Sequence, residues 1–248
     1  MELYYNLLAF WILFGALTFL YLLFSKVKVP YGRHQNNKWG GSIDNSWGWF
    51  WMELPALIVM PLLVIIGPVE KNFYILFILL LWGFHYFYRS LIFPFKLNTK
   101  GKKIPILIVC NGFIFNLING GFVGYELGFI SESTFSLNAH FIIGITLFIL
   151  GAYINRTSDY KLISLRSKSK DYQIPEGGLF NYISCSNHFG EIIEWFGFAI
   201  ILWNLSALSF VLWSAYNLIP RALNHHQWYK QHFSNYPTSR KAVFPFIF

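Results

Sequence analysis

With 248 residues, 55% of them hydrophobic and only 12% charged, the chain is far more apolar than a soluble domain, in which about a quarter of residues carry charge. That composition excludes a water-soluble globular enzyme and predicts an all-α, multi-pass membrane protein folded as one domain over residues 1–248. The net charge of +8 does not indicate nucleic acid, because no basic patch interleaved with aromatic residues sits on a soluble module.

Seven apolar stretches follow in chain order, at 5–24, 48–66, 72–94, 104–124, 138–154, 188–204 and 206–229, each near the length of a tilted membrane helix. The first lacks a basic n-region and a small-residue cleavage site, so it reads as a retained helix. Cytoplasmic loops are enriched in Lys and Arg, which tests the count. Lys26, Lys28, Arg33 and Lys38 follow the first stretch; Arg89, Lys96, Lys100, Lys102 and Lys103 close the third; Arg156, Lys161, Arg166, Lys168 and Lys170 follow the fifth; and Arg221, Lys230, Arg240 and Lys241 close the chain. The other side keeps Lys71, beside Glu2, Glu70, Glu126 and Glu132. The expected topology puts the amino terminus outside and the carboxyl terminus in the cytoplasm, in a bacterial inner membrane or the endoplasmic reticulum.

Glu53 lies inside the second stretch, where an ionisable group is costly and its default reading is functional. Pairing with Arg33 or His85 to hold helices together is the structural alternative, an expensive one for buried charges. Near the cytoplasmic ends, polar residues recur at helical spacing. Asn155, Asp159 and Arg166 share one face, Asn187, Glu191 and Glu194 a second, and Arg221, His225 and Tyr229 a third. Arginines chelate phosphate oxygens, while carboxylates and amides hold ribose hydroxyls or a carboxamide, so the three stripes suit a nucleotide cofactor. They also suit interhelical hydrogen bonds; three at one membrane boundary favour a site. Asn111, Asn116 and Asn119 in the fourth stretch either bond between helices or border a pocket.

Other chemistries lack their signatures. No G-x-G-x-x-G or Walker A motif is present, and His34, His85, His140, His188, His225, His226 and His232 form neither di-iron boxes nor zinc spacing. No metal is expected. Cys110 and Cys185 do not make a disulfide framework. Pro175, Gly177 and Gly178 mark a turn ahead of the sixth stretch.

Several motifs together resemble the steroid 5-alpha-reductases. They are Glu-Leu-Pro at 53–55, His-Tyr-Phe-Tyr-Arg at 85–89, Asn155 with Ser158, Asp159 and Tyr160, Ile174 and Pro175 with Gly177 to Phe180, and Asn187 with Gly190 to Trp195. Arg221, Ala222, His225, His226 and Tyr229 continue the pattern, as do Tyr236, Pro237, Ser239 to Ala242 and Pro245 to Phe248. The resemblance implies a seven-helix enzyme that uses NADPH to reduce the C4–C5 double bond of a 3-oxo-4-ene steroid. It implies that Glu53 and Tyr86 contact the C3 carbonyl and that Trp49, Phe115 and Asn111 line the sterol cavity. Arg89, Asn155, Asp159, Arg166, Tyr172, Asn187, Glu191, Arg221, His225 and Tyr229 would hold the cofactor on the cytoplasmic side. Residues 1–135 would mainly form the substrate cavity and 136–248 the cofactor region. Gln173, where relatives often carry a basic residue, and Phe93, where some carry tyrosine, depart from the pattern.

Hydride addition to the beta carbon of an enone drives charge onto the carbonyl oxygen, so a donor aimed there stabilises the transition state. Tyr86 supplies one. Apolar surroundings favour the neutral acid of Glu53, which then serves as a second donor or orients the tyrosine. Trp49 also fits an interfacial aromatic belt. The expected partners are a steroid-like lipid and the bilayer, without nucleic acid or an obligatory protein. Alternatives are reduction of another unsaturated lipid such as a polyprenol or enoyl thioester, a membrane methyltransferase using S-adenosylmethionine, and a lipid transporter or scaffold.

Overall fold

The computed structural model describes residues 1–25, 27, 29, 32–34, 39–97, 99, 101–131, 137–169 and 171–247. Lys26, Lys28, Lys38, Lys100, Glu132 and Lys170 of the charge pattern, the Arg33 side chain and Phe248 lie outside them. The chain is mostly helical: α1 (Glu2–Phe24), α2 (Asn45–Ile66), α3 (Phe73–Phe87), α4 (Phe93–Lys96), α5 (Ile106–Tyr125), α6 (Ala139–Lys168), α7 (Ser186–Leu202) and α8 (Leu205–His232). A short antiparallel pair, β1 (Ser42–Asp44) and β2 (Lys103–Pro105), joins Ile43 to Ile104.

Asx caps start four of the helices. Asp44, Asn72, Asn138 and Asn204 each accept from backbone N–H groups of the first turn of α2, α3, α6 and α8, satisfying donors that no helical carbonyl can reach. Two ends widen into π turns, Tyr88–Ile92 after α3 and Glu126–Ile130 after α5. Pro94 follows the first; it has no N–H for the carbonyl four residues back, which favours the wider turn.

Among the described residues, five helical segments are long and apolar enough to cross a membrane: Glu2–Phe24, Asn45–Ile66, Phe73–Lys96, Ile106–Ile130 and Ala139–Lys168. They display large apolar side chains outward, among them Leu7, Phe10, Leu62, Leu80 and Ile149, as lipid-facing helices do. The sixth and seventh expected stretches form helices that do not meet both conditions. At 17 residues, α7 rises only about 26 Å against a hydrocarbon core of about 30 Å. The longer α8 carries Arg221, His225, His226, Lys230 and His232 through its second half.

The chain forms two compact units, one of Met1–Tyr5 with Lys28–Leu137 and the other of Asn6–Val27 with Asn138–Phe248. In the first, α2 packs on α5 through small residues. A Cβ on Gly112 would sit 2.7 Å from the Met52 side chain, and on Gly124 2.8 Å from the Met60 carbonyl. In the second, α6 and α7 interlock through glycines spaced seven apart. A Cβ on Gly151 would come within 2.2 Å of Glu194 N, on Gly190 within 2.4 Å of Asn155 N, and on Gly197 within 2.4 Å of Phe148 N. Backbones this close let van der Waals packing replace the hydrophobic drive that lipid cannot provide. The same unit takes in most of α1, where Trp213 stacks on Trp11 at 4.5 Å and donates to its carbonyl at 3.1 Å.

Candidate active site

The first unit holds the carboxylate that the sequence singles out. Glu53 is half-buried on α2, and its Oε2 accepts from Asn116 Nδ2 on α5 at 3.3 Å. Tyr86 is buried on α3, its ring 4.8 Å from Trp82. The indole of Trp82 donates to the Ala56 carbonyl at 2.8 Å, which sets the register of two helices joined by a short turn and therefore antiparallel. Tyr86 is one turn beyond Trp82 on α3, and Glu53 one turn before Ala56 on α2. The two lie at the same level of adjacent helices.

Arg89 occupies the π turn, buried, with its guanidinium over Phe93 at 4.6 Å and Trp49 at 5.7 Å. Trp49 is half-buried in that cluster and beside the core of Met52, Ile104, Ile108 and Val109. Arg89 is thus in the first unit, while the other nine cofactor candidates belong to the second. Phe115 is half-buried and Asn111 exposed.

In the second unit the glycine interlock aligns two of the predicted stripes. Asn155 Nδ2 donates to the Asn187 carbonyl at 3.0 Å and to Glu191 Oε2 at 3.3 Å; Asn187 Nδ2 donates to Asp159 Oδ1 at 3.1 Å. Asn155 and Asp159 are buried. The side-chain Oδ1 of Asn155 is buried with no hydrogen-bond partner, an acceptor available to a ligand amide. On α8, His225 lies 5.9 Å from the His188 ring, Arg221 is one turn before it, and Tyr229 is buried and stacked on Tyr236 at 5.3 Å.

Arg166 covers the Tyr172 ring at 4.5 Å, and Tyr172 meets Trp228 edge-on at 5.2 Å. Beneath them a groove of about 530 Å³ is lined by Lys161, Leu165, Tyr172, Gln173, Glu176 and Phe233. Gly177 and Gly178, both at positive φ (83° and 60°), turn the chain from this groove toward α7. A nicotinamide dinucleotide fits this donor set, with amide and carboxylate acceptors for carboxamide and hydroxyls and Arg166 and Arg221 for phosphates.

Two supporting groups, Arg240 and Ser184, had no role assigned from the sequence. Arg240, buried, donates to the Pro175 carbonyl at 2.9 Å and fixes the strand of chain that carries Tyr172 and Gln173. Ser184 Oγ meets His226 Nδ1 and Tyr236 OH at 2.6 Å each and the Lys241 carbonyl at 3.1 Å. Burial pushes the Tyr236 phenol above its ordinary value. Asn116, which the sequence placed between helices or beside a pocket, bonds from α5 to Met52 and Glu53 on α2.

Apolar spans, an acid inside one of them and a buried amide–carboxylate network define a membrane-embedded enzyme. Residues 102–248 match the family described as 3-oxo-5-alpha-steroid 4-dehydrogenase. The chain is 37% identical to steroid 5-alpha-reductase DET2 of Arabidopsis thaliana, over 92% of this chain and 90% of the relative. It is 42% identical to 3-oxo-5-alpha-steroid 4-dehydrogenase 2 of Sus scrofa and 40% to that of Homo sapiens, in each case over 81% of this chain and 80% of the relative. The chain belongs to the 3-oxo-5-alpha-steroid 4-dehydrogenase family and is an oxidoreductase.

Proposed function

We propose that this protein reduces the C4–C5 double bond of 3-oxo-4-ene steroids to 5-alpha-3-oxosteroids with NADPH. The observation that carries the reading is the register of Glu53 and Tyr86, an acid and a phenol on adjacent helices inside an apolar unit. Bound NADPH would supply the hydride for C5, and a proton from solvent would complete C4 as the enolate returns to the ketone. Tyr86 and Glu53 donate to the C3 carbonyl and stabilise the charge that gathers there in a water-poor site. Trp49 and Phe115 offer aromatic surface to the steroid, with Asn111 at the margin. Asn155, Asp159, Asn187 and Glu191 orient the nicotinamide end, and Arg166, Tyr172, Arg221, His225 and Tyr229 hold the remainder.

The chain crosses the membrane seven times in this reading, α7 and α8 supplying the sixth and seventh crossings, with the amino terminus outside and the cofactor region at the cytoplasmic face. The bias of Lys and Arg toward that face supports it. The test is NADPH oxidation by purified protein in nanodiscs with testosterone or progesterone, with product stereochemistry determined. A 5-alpha product that falls by about 10²–10³ in Glu53→Gln and Tyr86→Phe, the loss typical of one oxyanion donor, is expected. Turnover unaffected by either change sinks the assignment of the pair.

A further inference from the structure

We infer that Trp203 and Phe246, the latter with Tyr182, seat the two ends of α7 in the headgroup boundaries of the bilayer; the inference rests on the reading in which α7 crosses the membrane. Among the described residues, two that are not glycine hold a left-handed backbone, Trp203 (φ 47°) and Phe246 (φ 67°). Both are large aromatics, 69% and 80% exposed. A side chain at positive φ crowds its own backbone, and a ring held in water forgoes the burial that normally offsets its ordering. Strain and exposed apolar surface at the same residue point to surroundings other than water.

The fold puts these residues at opposite ends of one helix. Trp203 is the C-cap of α7, its N–H closing on the Ala199 carbonyl at 2.8 Å, at a turn where glycine is usual. Its ring lies 4.4 Å from that of His140, at the start of α6. At the other end, Cys185 donates its backbone N–H to the Ala242 carbonyl at 3.1 Å, and Phe244 meets Phe189, in the first turn of α7, edge-on at 6.0 Å. These contacts fix the carboxyl-terminal segment beside the start of α7. Phe246 then lies 5.8 Å from Tyr182, with Ile247 next to it and all three exposed. The 17 residues of α7 rise about 26 Å, short of a hydrocarbon core of about 30 Å. A helix that short crosses where apolar surface continues past its ends or the bilayer thins. Trp203 continues that surface on the outer side, and Tyr182, Phe246 and Ile247 continue it on the cytoplasmic side. Membrane–water boundaries favour aromatic rings of this kind, which makes the bilayer interface the occupant of both surfaces.

Nitroxide labels in nanodiscs read the depth of each site. The background is Cys110→Ala, since Cys110 is exposed and Cys185 buried. Single cysteines are introduced as Trp203→Cys and Phe246→Cys, with two references: Phe196→Cys, on the exposed face near the middle of α7, and Thr238→Cys, exposed in the polar segment after α8. Collision with oxygen, which concentrates in lipid, is compared with collision with a water-soluble nickel chelate. The oxygen-to-nickel ratio at the Trp203 and Phe246 sites should fall between the references, above Thr238 and below Phe196. If Phe246→Cys does not fold, Ile247→Cys reports the same tip. A ratio at either site as low as that at Thr238, with Phe196 still in lipid, puts the ring in water and overturns the inference alone. Weak collision with both reagents puts the ring against protein, another part of this chain or a second copy, and overturns it as well. A water-like ratio at Phe196 overturns the crossing by α7 instead.

Discussion

Asn155 on α6 donates its side-chain amide to the backbone carbonyl of Asn187 on α7 at 3.0 Å, and the Asn187 side chain returns a bond one turn along α6, to Asp159. This exchange separates cofactor binding from folding. Asp159→Asn keeps an oxygen for Asn187 but removes the charge and turns the second oxygen into an N–H donor, so NADPH affinity, measured by nicotinamide fluorescence, should fall about tenfold, the worth of one charge-assisted bond, with a smaller change in melting temperature. Unchanged affinity would make the network purely structural.

Gly190 tests the packing beneath that network. Its added Cβ would lie 2.4 Å from Asn155 N and 2.8 Å from the Gly151 carbonyl, both backbone atoms that cannot rotate away. Gly190→Ala should destabilise by about 1–3 kcal/mol, as overpacking does, and weaken NADPH binding by spreading Asn155 from Glu191. Thermal unfolding in detergent with a parallel binding titration reads both. A variant as stable as wild type would contradict the interlock.

The polar face of each of these helices was legible from spacing alone, because residues four apart lie on one side of a helix. That the faces of α6 and α7 meet was not, since the information sits in Gly144, Gly151, Gly190 and Gly197, which leave no hydrophobic pattern. The docking of α1 beside α8 was equally hidden. With only Leu8 and Gly15 buried, α1 is apolar on every side, and no period marks which side faces protein. Asn116 was visible as an amide in an apolar span, but its two partners are set by a helix crossing that sequence does not encode locally. The groove at Tyr172 depends on the bond of Arg240 to Pro175, 65 residues apart in the chain.

Ser184 gathers three partners at the end of α8. One hydroxyl has one proton; when it goes to the Lys241 carbonyl, Tyr236 and His226 must both donate to the oxygen. Ser184→Ala leaves buried Tyr236 and half-buried His226 without their acceptor and should cost about 1–3 kcal/mol. Limited proteolysis should then cut within 236–247 faster than in wild type. Equal rates would show that the Ile183–Lys241 bridge and the Arg240–Pro175 bond anchor the segment without Ser184.

Gln173 bears on cofactor choice. It lines the groove with Lys161 and Glu176, next to Arg166 and Tyr172, and Lys161 is drawn to the Glu176 carbonyl. The groove thus has fewer cations facing it than a basic residue at 173 would give. If the 2′-phosphate of NADPH occupies it, Gln173→Arg should tighten NADPH by roughly three- to tenfold, the range of a charged hydrogen bond partly exposed to water. NADH affinity should stay level, and the gain should shrink as salt rises because the added attraction is screened. Titrating both nucleotides at two ionic strengths decides the matter. A gain shared equally by NADH would place the phosphate elsewhere and leave Gln173 a wall of the groove.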